Sequence, residues 1–216
     1  MVLSTRIIIL SVTKVGEKSL VLHTLSPDFG RRSFLVSVGT KGGMALYLPL
    51  NILECEVVEN PRSDLWRLRS IAALHPLGGI RSNMYKNTMT LFMSEVLYRA
   101  VRDGGCEDGL FEWCEKSILT LDALESDFSN FHLRFLLELS SAMGFSPCLD
   151  DLAPFAGHHL CEIRDLLQKD FVSSLLVPLS GECRGEIAEC LLQYLSFHTD
   201  SRIEARSLKV LREVYG

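Results

Sequence analysis

The sequence has no apolar run long enough to cross a membrane. A spanning helix needs roughly 18 or more consecutive apolar residues, whereas the longest apolar runs here are fragments such as Ile7–Leu10. That run is also too short for the apolar region of a signal peptide, and Lys14, Glu17 and Lys18 follow it closely. We therefore expect a cytoplasmic protein that does not associate with membranes.

Several cysteine and phosphate-binding motifs are also missing. The seven cysteines are odd in number, and no two of them have the C-x-x-C spacing of zinc ribbons or redox sites. Neither a G-x-x-x-x-G-K-[ST] phosphate loop nor a G-x-S-x-G nucleophile elbow occurs. A disulfide framework, a P-loop nucleotide site and a hydrolase elbow are thereby excluded as sequence motifs. We expect most of the cysteines to be buried, reduced thiols.

Positive charge is scarce in the second part of the chain. The 216 residues are 47% hydrophobic and 23% charged, which is typical of a folded protein of one or two domains. Residues 1–86 hold 11 Lys and Arg against 6 Asp and Glu, whereas residues 87–216 hold 11 against 21. This asymmetry indicates that the first part meets a polyanion. The alternative is a chance fluctuation on a solvated surface.

The first 75 or so residues have the composition of short strands with turn signals between them. The predicted strands are Ile7–Val12, Ser19–Leu25, Ser33–Val38, Ile52–Val58 and Leu65–Ile71. Five short strands favour a small barrel or sandwich, and they fit an OB-type barrel, a fold whose open face binds oligonucleotides in many proteins. The pattern alone does not choose this barrel over other small all-β folds.

From about residue 82 the apolar spacing becomes helical. Tyr85, Met89, Phe92, Val96 and Ala100 are spaced to lie on one face of a helix. Further helices are predicted over 110–124, 131–143 with Ser129 as its N-cap, and 160–172, with loops around Pro154 and Pro178. Ser201–Glu204 has the capping-box pattern that opens a last helix.

The change of pattern predicts two domains joined at His75–Gly79. Residues 1–79 are expected to form a five-stranded OB-type β-barrel that binds DNA. Residues 80–216 are expected to form an α-helical domain. The predicted fold is thus an α+β multidomain arrangement.

Metal-ligating residue types gather in the part of the helical region that is hardest to interpret. Cys148, His158, His159 and Cys161 offer ligands, with Cys183 as a nearby addition. Their spacing matches no standard zinc site. We therefore predict no metal and no cofactor.

A hydrolytic site is the other chemistry that this region could hold. Asp150 and Asp151 precede His158 and could supply carboxylates for acid–base work. Adjacent acidic residues do not by themselves indicate a site, so a solvated loop is the simpler interpretation. We predict no catalytic residue.

The basic residues of the β part are the stronger candidates. The predicted DNA contacts are Lys14, Lys18, Arg31, Arg32, Lys41, Arg67 and Arg69. Arg67 and Arg69 share one face of a strand, with Trp66 on the other. Such charges can follow a phosphate backbone. Few aromatic residues are available for base stacking, since Phe34 and Trp66 are expected to be buried, so the pattern favours non-specific backbone contacts.

Four strings in order resemble the RecO family of bacterial recombination mediators, in its zinc-free Bacteroides-like form. The strings are T-R-I-I-I-L-S-V-T-K-V-G-E-K-S-L-V-L-H-T-L-S-P-D-F-G-R-R-S-F-L-V, K-N-T-M-T-L-F-M-S-E-V-L-Y-R-A-V-R, N-F-H-L-R-F-L-L-E-L-S-S-A-M-G-F-S-P and S-L-K-V-L-R-E-V-Y-G. The resemblance covers nearly the whole chain apart from residues 148–185.

The resemblance implies a non-enzymatic protein with an OB-fold and a helical domain. RecO proteins bind single- and double-stranded DNA, anneal complementary strands and, with RecR, help load RecA onto DNA coated by single-strand-binding protein. Many also dock the acidic, apolar C-terminal tail of that protein on the helical domain. A carboxylate-bearing tail needs a cation beside an apolar groove, and Arg134 is the candidate.

Two departures from the family pattern bear on function. Where relatives often carry a strongly basic stretch, Val38–Met44 holds the single lysine Lys41. The four-cysteine module of zinc-bearing relatives is also missing. The alternative function is accordingly a protein-interaction adaptor of the same pathway with little DNA binding of its own.

Overall fold

A computed structural model describes residues 2–37, 43–63, 65–105 and 107–215. The chain forms two compact units. The barrel unit comprises Met1–Leu77 and Val101–Ile118, and the helical unit comprises Gly78–Ala100 and Leu119–Gly216.

Five strands close into a barrel in the order β1-β2-β3-β5-β4. The strands are β1 (Val2–Lys14), β2 (Ser19–Ser26), β3 (Gly30–Ser37), β4 (Ile52–Val58) and β5 (Trp66–Ala73). β3 and β5 run parallel, and the other neighbouring pairs are antiparallel. This closed five-stranded barrel confirms the predicted OB-type fold.

The barrel interior is filled by residues that alternate along the strands, as a period of two requires. They are Ile7, Ile9, Leu20, Leu22, Phe34, Val36, Leu53, Cys55, Val57 and Leu68. Ile8 and Leu10 are buried too, so both faces of this stretch of β1 are covered. Phe34 is fully buried as predicted, whereas Trp66 is half-buried and meets Phe29 edge-on at 5.5 Å between ring centroids.

The segment Val101–Ile118 joins the barrel through hydrogen bonds to the beginning of β3. The Arg31 amide donates to the Gly105 carbonyl at 3.0 Å, and the Gly104 amide donates to the Arg31 carbonyl at 2.8 Å. The Arg31 guanidinium also donates to the Val101 carbonyl at 2.9 Å. These bonds join residues some 70 positions apart, so local sequence patterns do not reveal them.

The described residues contain nine α-helices and a one-turn 3-10 helix, Met44–Tyr47. The α-helices are α1 (Gly78–Arg81), α2 (Met84–Ala100), α3 (Leu110–Ala123), α4 (Phe131–Ala142), α5 (Leu149–Ala156), α6 (Leu160–Gln168), α7 (Phe171–Leu175), α8 (Gly181–Thr199) and α9 (Ser207–Tyr215). None of these helices is long and apolar enough to cross a membrane. In the helical unit, α8 packs against α2, α4, α5 and α9.

The predicted apolar face of α2 is confirmed except at its first member. Met89, Phe92, Val96 and Ala100 are buried, whereas Tyr85 is 43% exposed. Because α2 begins at Met84, Tyr85 lies in its first turn, ahead of the stretch that enters the core.

The last helix begins five residues later than the capping-box pattern predicts, since Ser201 as N-cap would place the first helical residue at 202. Ser201 follows the end of α8, and Glu204 forms an ion pair with Arg202. The helix begins at Ser207, whose amide and hydroxyl both donate to Glu95 of α2, at 2.9 and 2.7 Å. Burial would raise the pKa of Glu95, but these bonds outweigh burial and lower it. A carboxylate from another helix therefore caps α9.

Two other helix boundaries also differ from the predictions. Pro154 lies inside α5 and not in a loop, because Leu152 and Ala156 of that short helix are buried and α5 packs on α6 and α8. The N-cap of α4 is Asn130 and not Ser129, and the Asn130 side chain does not cap α4. Its amide instead donates to the carbonyls of Ser174 and Leu175 at the end of α7 and to that of Val177 beyond it, the last at 2.7 Å.

A close approach between α1 and α3 generates a stability prediction. A Cβ on Gly79 would overlap the backbone carbonyl of Asp122, whereas a Cβ on Gly78 meets nothing within 4 Å. We expect Gly79→Ala to lower the free energy of unfolding by about 1–3 kcal/mol, the usual cost of overpacking. Equilibrium denaturation measures this change.

Gly78→Ala is the matched control for Gly79→Ala. It is expected to be neutral or to stabilise by up to about 1 kcal/mol, because alanine favours helix more than glycine does. Equal destabilisation by both substitutions would contradict the close approach.

Candidate nucleic-acid interface and partner site

One end of the barrel carries two of the predicted DNA-binding lysines. Lys14 is the last residue of β1, and Lys18 immediately precedes β2. Both side chains are exposed. Ser19, which begins β2, pairs with Ser37, which ends β3. We call this end of the barrel, where β1 ends, β2 begins and β3 ends, the barrel rim.

Two predicted arginines, Arg67 and Arg69, lie on β5. Leu35, two residues before the end of β3, pairs with Arg67 of the parallel strand β5. Arg69 is two residues further along β5, and both arginine side chains are exposed. Arg69 pairs with Glu56 of the neighbouring strand β4, so the positive charge of Arg69 has an acidic neighbour. Lys14 and Lys18 at the barrel rim, and Arg67 and Arg69 on β5, are thus the predicted cations that are exposed. On its other side Arg67 pairs with Val58 of β4, whose partner on β1 is Val2, the residue at the opposite end of that strand from Lys14.

Arg31 and Arg32 lie at the other end of β3, near its first residue Gly30. At about 3.3 Å per residue, the six steps from Arg31 to Ser37 span about 20 Å. Arg31 is held by the Val101 carbonyl, and the Arg32 guanidinium lies 3.6 Å from the centroid of the Trp66 ring. Both arginines thus have intramolecular contacts, and Arg31 lies at the opposite end of β3 from the barrel rim, whereas Arg32 contacts the residue next to Arg67.

Lys41 lies outside the described residues. It belongs to the segment 38–42 that follows Ser37 along the chain.

The barrel unit as folded has no net charge. Its two segments together hold 11 Lys and Arg and 11 Asp and Glu, because Val101–Ile118 contributes five acidic residues. The helical unit holds 11 against 16. One basic residue is paired directly with the acidic segment, since Arg6 lies 2.5 Å from Glu115 and 3.9 Å from Glu112. The net positive charge of residues 1–86 is therefore not a net positive charge of the folded barrel unit.

Arg134, the predicted partner-binding cation, lies on α4 and holds the end of α6. Its guanidinium donates to the carbonyls of Leu166 and Lys169, at 2.9 and 3.3 Å. It also forms an ion pair with Glu138, one turn along α4, at 2.7 Å. The side chain is only 18% exposed. An incoming carboxylate would have to displace or share these contacts.

The candidate metal ligands Cys148, His158, His159 and Cys161 do not form one cluster among the described residues. Cys148 donates to Asp151 at the start of α5, and Cys161 is an exposed free thiol. The His158 and His159 side chains instead meet Glu186 of α8. Glu186 was missed because it lies 27 residues beyond His159 and only helix packing brings it close.

His132, by contrast, lies in the core of the helical unit. It is 2% exposed, and its ring meets Phe92 edge-on at 5.9 Å. Burial, followed by the nearby positive charge of Arg184, lowers its pKa from 6.5 to about 3. The imidazole is therefore neutral near pH 7.

Comparison with known proteins identifies the family. Residues 81–153 match the family described as "Recombination protein O C terminal". The chain is 31% identical over 220 residues to the DNA repair protein RecO of Bacteroides fragilis, which covers 96% of this chain and 88% of that protein. The chain belongs to the RecO family. The Flavobacterium psychrophilum RecO is 27% identical over the full length of both chains. The Phocaeicola vulgatus RecO is 28% identical over 97% of each.

The contacts of Arg134 generate a second prediction. Arg134→Ala removes charge-assisted hydrogen bonds from the end of α6, which are worth about 1.5–3 kcal/mol. We expect a loss of that order in the free energy of unfolding, measured by denaturation. Arg164→Ala, at a half-exposed arginine of α6 itself, is expected to change it by at most about 0.5 kcal/mol. A stability for Arg134→Ala equal to that of the control would show that the guanidinium is not needed by α6.

A third prediction concerns acid sensitivity. Because the folded pKa of His132 is below the unfolded value, the unfolded chain takes up a proton there first as the pH falls. This group's contribution to stability is complete above its unfolded pKa of 6.5 and is lost toward its folded pKa of about 3. From about pH 7.5 to about pH 5 the loss is about 2 kcal/mol.

His132→Leu should reduce the drop in unfolding free energy over that range by this amount, as denaturation at each pH would show. Phe92→Leu perturbs the same core but keeps the imidazole, so it should retain the wild-type slope. Identical pH profiles for the wild type and His132→Leu would contradict the assignment.

Proposed function

We propose that this chain is a non-enzymatic DNA repair and recombination mediator that binds single- and double-stranded DNA at the barrel rim. In this proposal it anneals complementary strands and, with RecR, helps load RecA onto DNA coated by single-strand-binding protein. Membership of the RecO family supports the general role. The observation that carries the DNA site is the exposure of Lys14 and Lys18 at the rim and of Arg67 and Arg69 on β5, where Arg67 lies beside Leu35 near the end of β3.

The proposed mechanism needs no bond-making chemistry. Cations at the barrel rim hold strands by their phosphates, and release of counterions from the DNA supplies the affinity. Holding two strands raises their local concentration, and base pairing then drives annealing. The proposed binding is independent of base sequence, because neither aromatic candidate for base stacking is open. Phe34 is buried, and Arg32 covers one face of Trp66.

The helical unit is proposed to dock the acidic tail of single-strand-binding protein. Arg134 stays the proposed cation, and Glu138 is the carboxylate that the tail would have to displace or join. Because the guanidinium also holds two carbonyls of the α6 end, tail binding would use a residue that the fold has already oriented.

The second candidate function is an adaptor that acts through protein contacts with little DNA binding. The zero net charge of the barrel unit favours it. Non-specific DNA affinity comes almost entirely from the electrostatic term, so a neutral unit depends wholly on the local arrangement of its cations.

The experiment that separates the two functions is the binding of a fluorescent single-stranded oligonucleotide, followed by anisotropy at several salt concentrations. We expect wild-type affinity to fall steeply with salt. Arg67→Glu/Arg69→Glu should weaken binding at every salt concentration. It should also lower the slope of log affinity against log salt by about 1.4, since each phosphate contact on single strands contributes about 0.7.

Arg164→Glu/Lys209→Glu is the matched control, because it makes the same change of charge at two surface positions of the helical unit. It should leave the slope unchanged. Equal losses in the two double variants would refute the barrel-rim site. No wild-type binding even at low salt would refute DNA binding altogether and favour the adaptor.

A further inference from the structure

Two imidazoles and a carboxylate meet where α5 is joined to α6. The Nε2 atom of His159 lies 2.7 Å from Oε2 of Glu186, and Nε2 of His158 lies 3.7 Å from the same oxygen. The two rings are 3.9 Å apart between centroids. His158, His159 and Glu186 each offer one ligand atom, and these three atoms all lie within 4.8 Å of one another.

These distances suit a bound metal ion after small side-chain movements. Two nitrogen or oxygen ligands on a tetrahedral zinc, each about 2.0–2.1 Å from the ion, lie roughly 3.3 Å apart. The two distances to Glu186 fall on either side of this value. His159 is only 7% exposed and fixed, whereas His158 is 81% and Glu186 42% exposed. The side-chain movements needed to bind the ion therefore fall on the two exposed residues, His158 and Glu186.

We propose that His158, His159 and Glu186 bind a divalent transition-metal ion of the zinc type. Imidazole and carboxylate are ligands that zinc accepts, and three protein ligands leave one position for water. The donor set differs from the four-cysteine module that the sequence lacks. The bound ion joins the residues that connect α5 to α6 with helix α8, in addition to the packing of α5 against α8.

Neighbouring groups complete the surroundings that such an ion requires. Sγ of Cys183 lies 3.6 Å from Nδ1 of His159, the ring nitrogen that does not face Glu186. A metal-bound histidine is usually oriented by a partner on its second nitrogen, and Cys183 is this positioning residue. Glu162 on α6 adds a buried carboxylate oxygen without a hydrogen-bond partner.

The competing explanation is a plain hydrogen bond between His159 and Glu186 that holds α8. In that case the exposed His158 is not a ligand, and the wild-type chain binds no zinc at this place. The role of His158 therefore decides between the two explanations.

The test is zinc binding by the untagged full-length chain, stripped with a chelator and titrated with zinc against a chromophoric chelator. We expect one zinc per chain, together with a rise in melting temperature, since a ligand of the folded state stabilises it. His158→Gln and Glu186→Gln should abolish this binding. Cys183→Ser should weaken it about 10- to 100-fold, as expected for a residue that orients a ligand.

Two substitutions serve as controls. Glu182→Gln, one turn before Glu186 on α8, and Cys161→Ser should bind zinc like the wild type. Zinc binding by His158→Gln equal to that of the wild type would overturn the proposal. So would a site lost on Cys161→Ser, or no zinc bound by the wild type. Because His158 is a surface residue, its substitution tests the site without the risk of unfolding that His159→Gln carries.

Discussion

The helical unit depends on side chains that satisfy the backbone groups at the ends of other helices. The last carbonyls and first amides of a helix have no partner within it. Lys86 of α2 donates to the carbonyls of Asp122 and Leu124 at the end of α3. Glu95 of the same helix accepts from the first residue of α9, and Arg134 of α4 holds the end of α6. These charged groups lie in the half-buried interior, so each bond fixes both the boundary of one helix and its place against another. Lys86 is itself 3% exposed, and burial lowers its pKa.

Charged side chains are also paired within the barrel unit. The acidic segment Val101–Ile118 balances the basic strands, and Arg6 and Arg31 are drawn into contacts with it. Of the predicted DNA contacts that the structure describes, Lys14, Lys18, Arg67 and Arg69 are exposed. Electrostatic attraction of a nucleic acid depends on local potential and not on the sign of a stretch of sequence. The proposed DNA surface is therefore smaller than the list of basic residues in the first 86 positions.

Particular elements show where sequence patterns succeed. The five strands and the buried stretch of α2 follow from alternation and from helical spacing, because burial of apolar faces dominates those segments. The first residue of α9 and the helical conformation of Pro154 do not follow from such patterns. At Ser201–Glu204 a local capping pattern lost to a carboxylate from α2, and in α5 the packing of Leu152 outweighed the missing amide of proline. Local preference is worth about 1 kcal/mol or less at most positions, so a tertiary contact readily overrides it.

The sequence by itself determined the order of β and α segments, the burial of Phe34 and the resemblance to the RecO family, since these depend on patterns within short stretches. Only the tertiary structure decided that Arg6 pairs with Glu112 and Glu115, that Arg31 contacts Val101, and that Glu186 meets His158 and His159. Each of these is a pairing between residues far apart in the chain. Such pairings arise from strand register and helix packing, which no local spacing encodes.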